Sequence, residues 1–232
     1  MNANLRSTSA VLGFPRIGPQ REVKKALEAY WGDKISAEEL LKVAKEQRLN
    51  TYATIKEQGV DFVPTGTFSL YDHVLDMSNT LGIIPEAYAT SGLSQLDTYF
   101  AMARGHQKGG VDLPATEMKK WFDSNYHYLV PEFSEKSEFK LNDNKPVDDF
   151  IEAKEAGYNA RPVILGPLTL LWLGKTSKDA QDPNFNRYSL LPKLAQTYVQ
   201  LFEKLAAAGA PWVQLDEPIL VCLLYTSPSP RD

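Results

Sequence analysis

Short apolar runs closed by Gly or Pro recur along the chain with longer amphipathic stretches between them, and this alternation constrains the fold more than any other feature. The runs are Ala10–Phe14, Val60–Gly66, Tyr126–Pro131, Pro162–Pro167 and Trp212–Asp216. Between them, Val23, Ala26, Leu27 and Tyr30 fall at i, i+3, i+4 and i+7 and form one apolar helical stripe. Ser36 and Glu39 have the spacing of a capping box ahead of Leu40 and Leu41, which predicts a helix running to Gln58 and stopped by Gly59. Leu191, Leu194, Tyr198, Leu201 and Leu205 mark a further helix that ends at Gly209, with Pro192 in its first turn, where a missing N–H costs nothing. Strands alternating with helical crossovers imply a parallel sheet. The expected class is α/β, an incomplete (β/α)8 TIM-like barrel with about five β/α units where closure needs eight. Such an arc leaves open edges and an uncovered apolar interior, so residues 1–221 alone are expected to be poorly soluble or partly molten.

Composition narrows the function classes. The 232 residues, 43% of them hydrophobic, suffice for one substantial core. A net charge of −4 gives no support to a nucleic-acid or acidic-membrane binder. No apolar run approaches the roughly 20 residues that span a bilayer, and the N-terminus lacks the apolar core of a secretory signal. Cys222 is the single cysteine, which excludes an internal disulfide and any zinc site built from several thiolates, and fits a reducing, cytoplasmic setting. After Val221 the pattern stops: Ser227-Pro228-Ser229-Pro230 has no helical or strand period. The expected division is therefore a partial barrel domain over 1–221 and a disordered, non-native-looking tail over 222–232.

Two segments could bind an anionic ligand. The loop from Gly13 to Gln20 opens the first helix, on the barrel face where active sites sit, and places Arg21 and Lys24 near a helix N-terminus. Spaced three apart, the two cations project from one side of a helix and suit a polycarboxylate or phosphate. An ordinary solvated basic face has the same spacing. The stretch Thr116-Glu117-Met118-Lys119-Lys120-Trp121-Phe122-Asp123-Ser124-Asn125-Tyr126-His127-Tyr128 combines cations, amide and aromatic rings, as a site for a flat ligand with a charged tail would, and as a loop packed on the core also would.

Other candidates have weaker patterns. His73, His106 and His127 lack metal-binding spacing, and no metal or catalytic residue is assigned. His73, just after the second strand, could orient a ligand or serve as a structural histidine. Asp216 and Glu217 end the fifth run, but neighbours on a strand face opposite ways, so they do not form a catalytic pair by themselves. Phosphate-loop spacing is absent.

These segments resemble the N-terminal domain of cobalamin-independent methionine synthases. The resemblance is carried in order by Leu12-Gly13-Phe14-Pro15-Arg16-Ile17-Gly18 with Arg21-Glu22-Val23-Lys24-Lys25, by Tyr71-Asp72-His73-Val74-Leu75, and by Lys120-Trp121-Phe122 leading into Asn125-Tyr126-His127-Tyr128. Val163-Ile164-Leu165-Gly166-Pro167, Trp172-Leu173-Gly174-Lys175 and Gln214-Leu215-Asp216-Glu217-Pro218 complete it. The resemblance implies a methyltransferase of methionine biosynthesis, which moves a methyl group from 5-methyltetrahydropteroyl-polyglutamate to homocysteine. It further implies that Arg21, Lys24 and Lys120, with Asn125 from the same loop as Lys120, bind the glutamate tail of the folate. In such enzymes a zinc ion in a second, C-terminal barrel holds the homocysteine thiolate. That barrel is missing here, so the expected cofactor set of this chain is none, its expected partners are the folate and the missing barrel, and it is expected to be inactive alone. The alternatives are a stand-alone folate-binding module and a barrel hydrolase using Asp216 or Glu217.

Overall fold

The computed structural model describes residues 7–222, and for Cys222 the backbone only. The rest of the tail expected over 222–232 lies outside the described residues. In chain order the first elements are helices α1 (Glu22–Trp31) and α2 (Ala37–Glu57), strand β1 (Val63–Thr65), helices α3 (His73–Thr80), α4 (Glu86–Ala89) and α5 (Gln95–Arg104), and strands β2 (His106–Lys108) and β3 (Val111–Leu113). Then come β4 (Met118–Lys120), β5 (His127–Leu129), β6 (Glu132–Phe133), α6 (Lys145–Glu155), β7 (Ala160–Leu165) and α7 (Pro167–Leu173). The last are β8 (Lys175–Thr176), a 3-10 turn at Arg187–Leu190, α8 (Leu191–Ala207), β9 (Gln214–Asp216) and α9 (Ile219–Cys222). The described residues divide into two compact units, one of 7–70, Pro146–Val163 and Leu205–Gln214, the other of Tyr71–Lys145, Ile164–Lys204 and 215–222.

In the first unit the helical stripes are buried as their periodicity requires. Val23, Ala26 and Leu27 of α1 are buried, as are Leu40, Ala44, Tyr52 and Ile55 of α2, which packs against α1. The capping box is complete: Ser36 Oγ accepts the Glu39 N–H at 3.2 Å, and Glu39 Oε2 accepts the Ser36 N–H at 2.7 Å. Val63 to Thr65 of β1 pair in parallel with Ala160 to Pro162 of β7. Just beyond, Gly66 has φ +82, and a Cβ there would come within 2.6 Å of the Val163 carbonyl oxygen, so the backbones approach as closely as they do only because position 66 has no side chain. Arg48 makes a two-pronged ion pair with Glu152, Nε to Oε1 at 2.7 Å and Nη2 to Oε2 at 2.9 Å, which joins α2 to α6.

The second unit is centred on α3, α7 and α8, with Val74, Leu75, Leu81, Phe133, Leu170, Leu171, Leu194 and Leu201 almost fully buried. Two antiparallel hairpins, β2–β3 and β4–β5, and the parallel pair β6–β8 belong to it. The Gly109–Gly110 turn of the first hairpin has φ +62 and +83, the backbone that a tight two-residue connection between twisted strands demands. Tyr198 Oη of α8 donates to the Leu165 carbonyl at 2.7 Å, and Gly166 N–H donates to the Asp216 carbonyl at 2.8 Å.

The class is mixed α/β with parallel strands, β1, β7 and β9 lying side by side in that order, and no closed barrel among the described residues. Two of the five runs depart from the expected strands. The run Ala10–Phe14 contributes one parallel bridge, Ala10 to Phe62; its pairing falls slightly earlier, where Ser9 N–H and Oγ both donate to Asp61 Oδ2 at 2.8 and 2.9 Å. Leu12 and Phe14 are exposed, and Pro15 offers no N–H to extend the ladder. The run at Tyr126–Pro131 does hold a strand, but β5 pairs antiparallel with β4: the six residues Trp121 to Tyr126 form a turn too short for a parallel crossover.

Candidate functional site

Lys120 and Asn125 lie on the β4–β5 hairpin. The register pairs Met118 with Leu129, Lys119 with Tyr128 and Lys120 with His127, so Lys120 closes the ladder and Asn125 sits in the turn beyond it. Trp121 N–H donates to the Tyr126 carbonyl at 2.7 Å, and Ser124 Oγ donates back to the Trp121 carbonyl at 2.6 Å while accepting the Tyr126 N–H at 3.2 Å. Phe122 takes the left-handed conformation, φ +48, uncommon for a bulky side chain. Lys120, Asp123, Ser124, Asn125 and Tyr126 are exposed. Among the described residues the Lys120 ammonium has no ion-pair partner, whereas Lys119 pairs with Glu117 at 3.4 Å.

Aromatic rings hold this hairpin. His73, the first residue of α3, meets Trp121 edge-on at 4.4 Å between centroids and stacks on Tyr126 at 5.8 Å. Trp121 also touches Phe122 and Tyr128 edge-on, and Phe122 lies flat on Trp172 of α7 at 5.3 Å with only 7° between planes. Trp121, Phe122, His73 and Trp172 are half-buried and Tyr128 is buried. Of the two readings open for this stretch, packing accounts for most of the rings.

Asp72, which precedes His73, ties the hairpin to α3. Its Oδ1 accepts the N–H groups of Val74 and Leu75 at 2.8 and 3.1 Å, and its Oδ2 accepts the Leu129 N–H of β5 at 3.1 Å. The side chain is 1% exposed. Burial pushes the carboxyl up from 3.8 to about 7, with the three N–H donors pulling the other way and Asp76 adding to the rise. Lys175 fixes the hairpin's base, its Nζ meeting Glu117 at 2.6 Å and Glu132 at 3.1 Å. These hydrogen bonds hold Glu117 below and Lys175 above their ordinary ranges.

Arg21 and Lys24 belong to the other unit. A turn closed by Arg21 N–H to the Gly18 carbonyl at 3.0 Å leads into α1. Gly18 has φ +83, and a Cβ there would meet Gln47 Oε1 at 2.7 Å as well as the Glu22 carboxylate. Arg21 is the N-cap of α1 with φ 60, so it precedes the helix instead of standing on it. The expectation that Arg21 and Lys24 share one helical face is thereby corrected: a left-handed residue rotates the chain out of helical phase. Lys24 is within α1 and pairs with Glu28 at 3.7 Å. Both cations are exposed. Glu22 already occupies the helix start, its Oε2 accepting the Gln20 N–H at 3.0 Å.

Asp216 and Glu217 were candidates for acid–base work. Glu217 Oε1 accepts the Leu168 N–H at 2.9 Å, and Oε2 accepts the Thr169 N–H at 2.7 Å and its hydroxyl at 2.6 Å. This carboxylate caps the N-terminus of α7, with each oxygen committed to that helix. Gly166 leaves it room, because a Cβ there would collide with Glu217 Cδ and Oε1. His127 is exposed opposite Lys120, and His106 pairs with Leu113 in the first hairpin. No group of three or more His, Cys, Asp or Glu among the described residues could hold a metal ion. No helix among them is long and apolar enough to cross a membrane.

Sequence reasoning missed Asp72 and Trp172 as parts of this site. An Asp just ahead of an apolar helical start is a capping signal, so half of the Asp72 role was available; its bond to Leu129 was not.

Comparison with known proteins extends the picture. The family model described as "Cobalamin-independent synthase, N-terminal domain" matches residues 8–228. A probable 5-methyltetrahydropteroyltriglutamate–homocysteine methyltransferase of Schizosaccharomyces pombe is 55% identical over 91% of this chain and 28% of its own length. The Saccharomyces cerevisiae methyltransferase of that name is 53% identical, covering 92% of this chain and 28% of its own length. For that of Caulobacter vibrioides the figures are 50%, 92% and 29%. The chain thus spans less than a third of these relatives. A match over nearly the whole chain, together with this identity, shows that it belongs to the family of the cobalamin-independent synthase N-terminal domain.

Proposed function

We propose that this chain is the tail-binding part of a methyltransferase that passes a methyl group from 5-methyltetrahydropteroyltriglutamate to homocysteine. Arg21, Lys24, Lys120 and Asn125 bind successive carboxylates of the glutamate tail. Arg21 supplies a fork of donors, the lysines compact charges, and the Asn125 amide a neutral donor. The single observation that carries this reading is Lys120: an exposed cation without an ion-pair partner among the described residues, at the end of a hairpin strand, in a family whose relatives are named for a triglutamate substrate. Residues 1–221 are taken as an incomplete (β/α)8 barrel and 222–232 as a tail outside it. Homocysteine binding, zinc and the methyl transfer itself fall to a second barrel beyond this chain, in a cytoplasmic enzyme. No catalytic step is assigned to residues of this chain.

Calorimetry with the triglutamate and monoglutamate forms of 5-methyltetrahydrofolate tests the reading. Replacing Arg21, Lys24 and Lys120 together by Ala should weaken triglutamate binding by about a hundredfold, at roughly 1 kcal/mol per charge-assisted contact, and leave monoglutamate binding nearly unchanged. Equal affinities of the wild-type chain for the two forms would refute it. The hydrolase alternative finds no support at Glu217, whose two oxygens are engaged in capping α7.

A further inference from the structure

The turn that carries Asn125 includes a ring that stacks on a side chain of α7. Phe122 adopts a left-handed backbone that a bulky residue takes only under constraint. Its ring meets two other aromatic rings: Trp121, edge-on at 4.9 Å, and Trp172, flat against it at 5.3 Å and 7°. Trp172 is fixed in turn. It lies in α7, whose first turn is capped by Glu217, and its carbonyl accepts from Arg187 Nη2 at 3.3 Å. A stacked pair stabilises beyond the area it buries, and so offsets part of the cost of one strained backbone residue.

We propose that Trp172 is a positioning residue for the tail-binding site. Resting on the function proposed above, the inference adds that Trp172 acts through Phe122: the stack keeps Phe122 left-handed, and the left-handed residue sets the turn from which Lys120 and Asn125 present their polar groups. Trp172 itself does not touch the ligand. Without the stack the turn samples other backbones, and binding must then order it again.

The test compares Trp172→Leu, Trp172→Phe and Lys120→Ala in the full chain, with Leu194→Ala as a control that destabilises the same unit away from the hairpin. Two quantities are measured: affinity for 5-methyltetrahydropteroyltriglutamate by calorimetry, and the backbone amide shifts and Phe122 HN–Hα coupling by NMR without ligand. Trp172→Leu should weaken binding about three- to tenfold, the cost of ordering one or two extra side chains, and move the amide signals of residues 120–126. Trp172→Phe, which keeps a flat ring, should restore both, and Leu194→Ala should change neither. Unmoved 120–126 signals in Trp172→Leu would overturn the positioning role, whatever the ligand does. So would wild-type affinity in Trp172→Leu while Lys120→Ala binds weakly, with the tail-binding reading intact. If Lys120→Ala binds like wild type, the tail-binding reading fails instead, and the positioning role for that site fails with it.

Discussion

A carboxylate buried to 1% exposure is held by whatever donors reach it, and Asp72 is reached by three backbone N–H groups from two elements. Asp72→Ala strands those donors and removes a helix cap, so the expected loss is about 3 kcal/mol, read from denaturant unfolding. Its pH behaviour follows from its raised pKa. The folded state favours the protonated acid, so this contribution to stability is complete below about pH 4 and fades as pH climbs to about 7. Asp72→Asn stays neutral throughout. The stability difference between wild type and Asp72→Asn should therefore shift against wild type between pH 4 and 7, and a flat difference would show that the N–H donors outweigh burial. Asp143, also raised by burial, contributes in the same direction to both proteins and cancels.

Elements whose signals are local were legible in the sequence. The stripes of α1 and α8 and the capping box of α2 depend on neighbours within a few residues, and the structure buries or bonds them accordingly. Ser36→Ala should cost about 1 kcal/mol and lower the thermal midpoint by several degrees, because it undoes one half of a reciprocal pair of hydrogen bonds. The Gly109–Gly110 turn was equally local and went unread. What local patterns could not give was pairing. Nothing near Tyr126–Pro131 says that β5 turns back on β4, and nothing near Phe122 names Trp172. Lys120 and Asn125 stood out by composition and by likeness to a family, while the hairpin that orders them needed coordinates.

For the molecule as a whole, charge sets the terms of binding. The chain carries a net −4, and the proposed ligand is a polyanion, so the attraction is local to a few exposed cations while the rest of the surface repels. Exposed pairs are screened within about 8 Å at physiological salt. The preference for the triglutamate over the monoglutamate form should therefore shrink severalfold between 50 mM and 500 mM salt, measured by calorimetry at both; a preference indifferent to salt would point to apolar contacts instead. At the same scale, each of the two units is made of three separate segments of the chain.

Gly166 and Glu217 extend that dependence into inheritance. The carboxylate fills the space that a side chain at 166 would need, so position 166 cannot drift while the long acid stays at 217. Lineages that retain the long acid at 217 should show glycine at 166, and alanine at 166 should surface only where 217 has first become short. Residue 166 then records, across descendants, whether the cap on α7 was kept or abandoned.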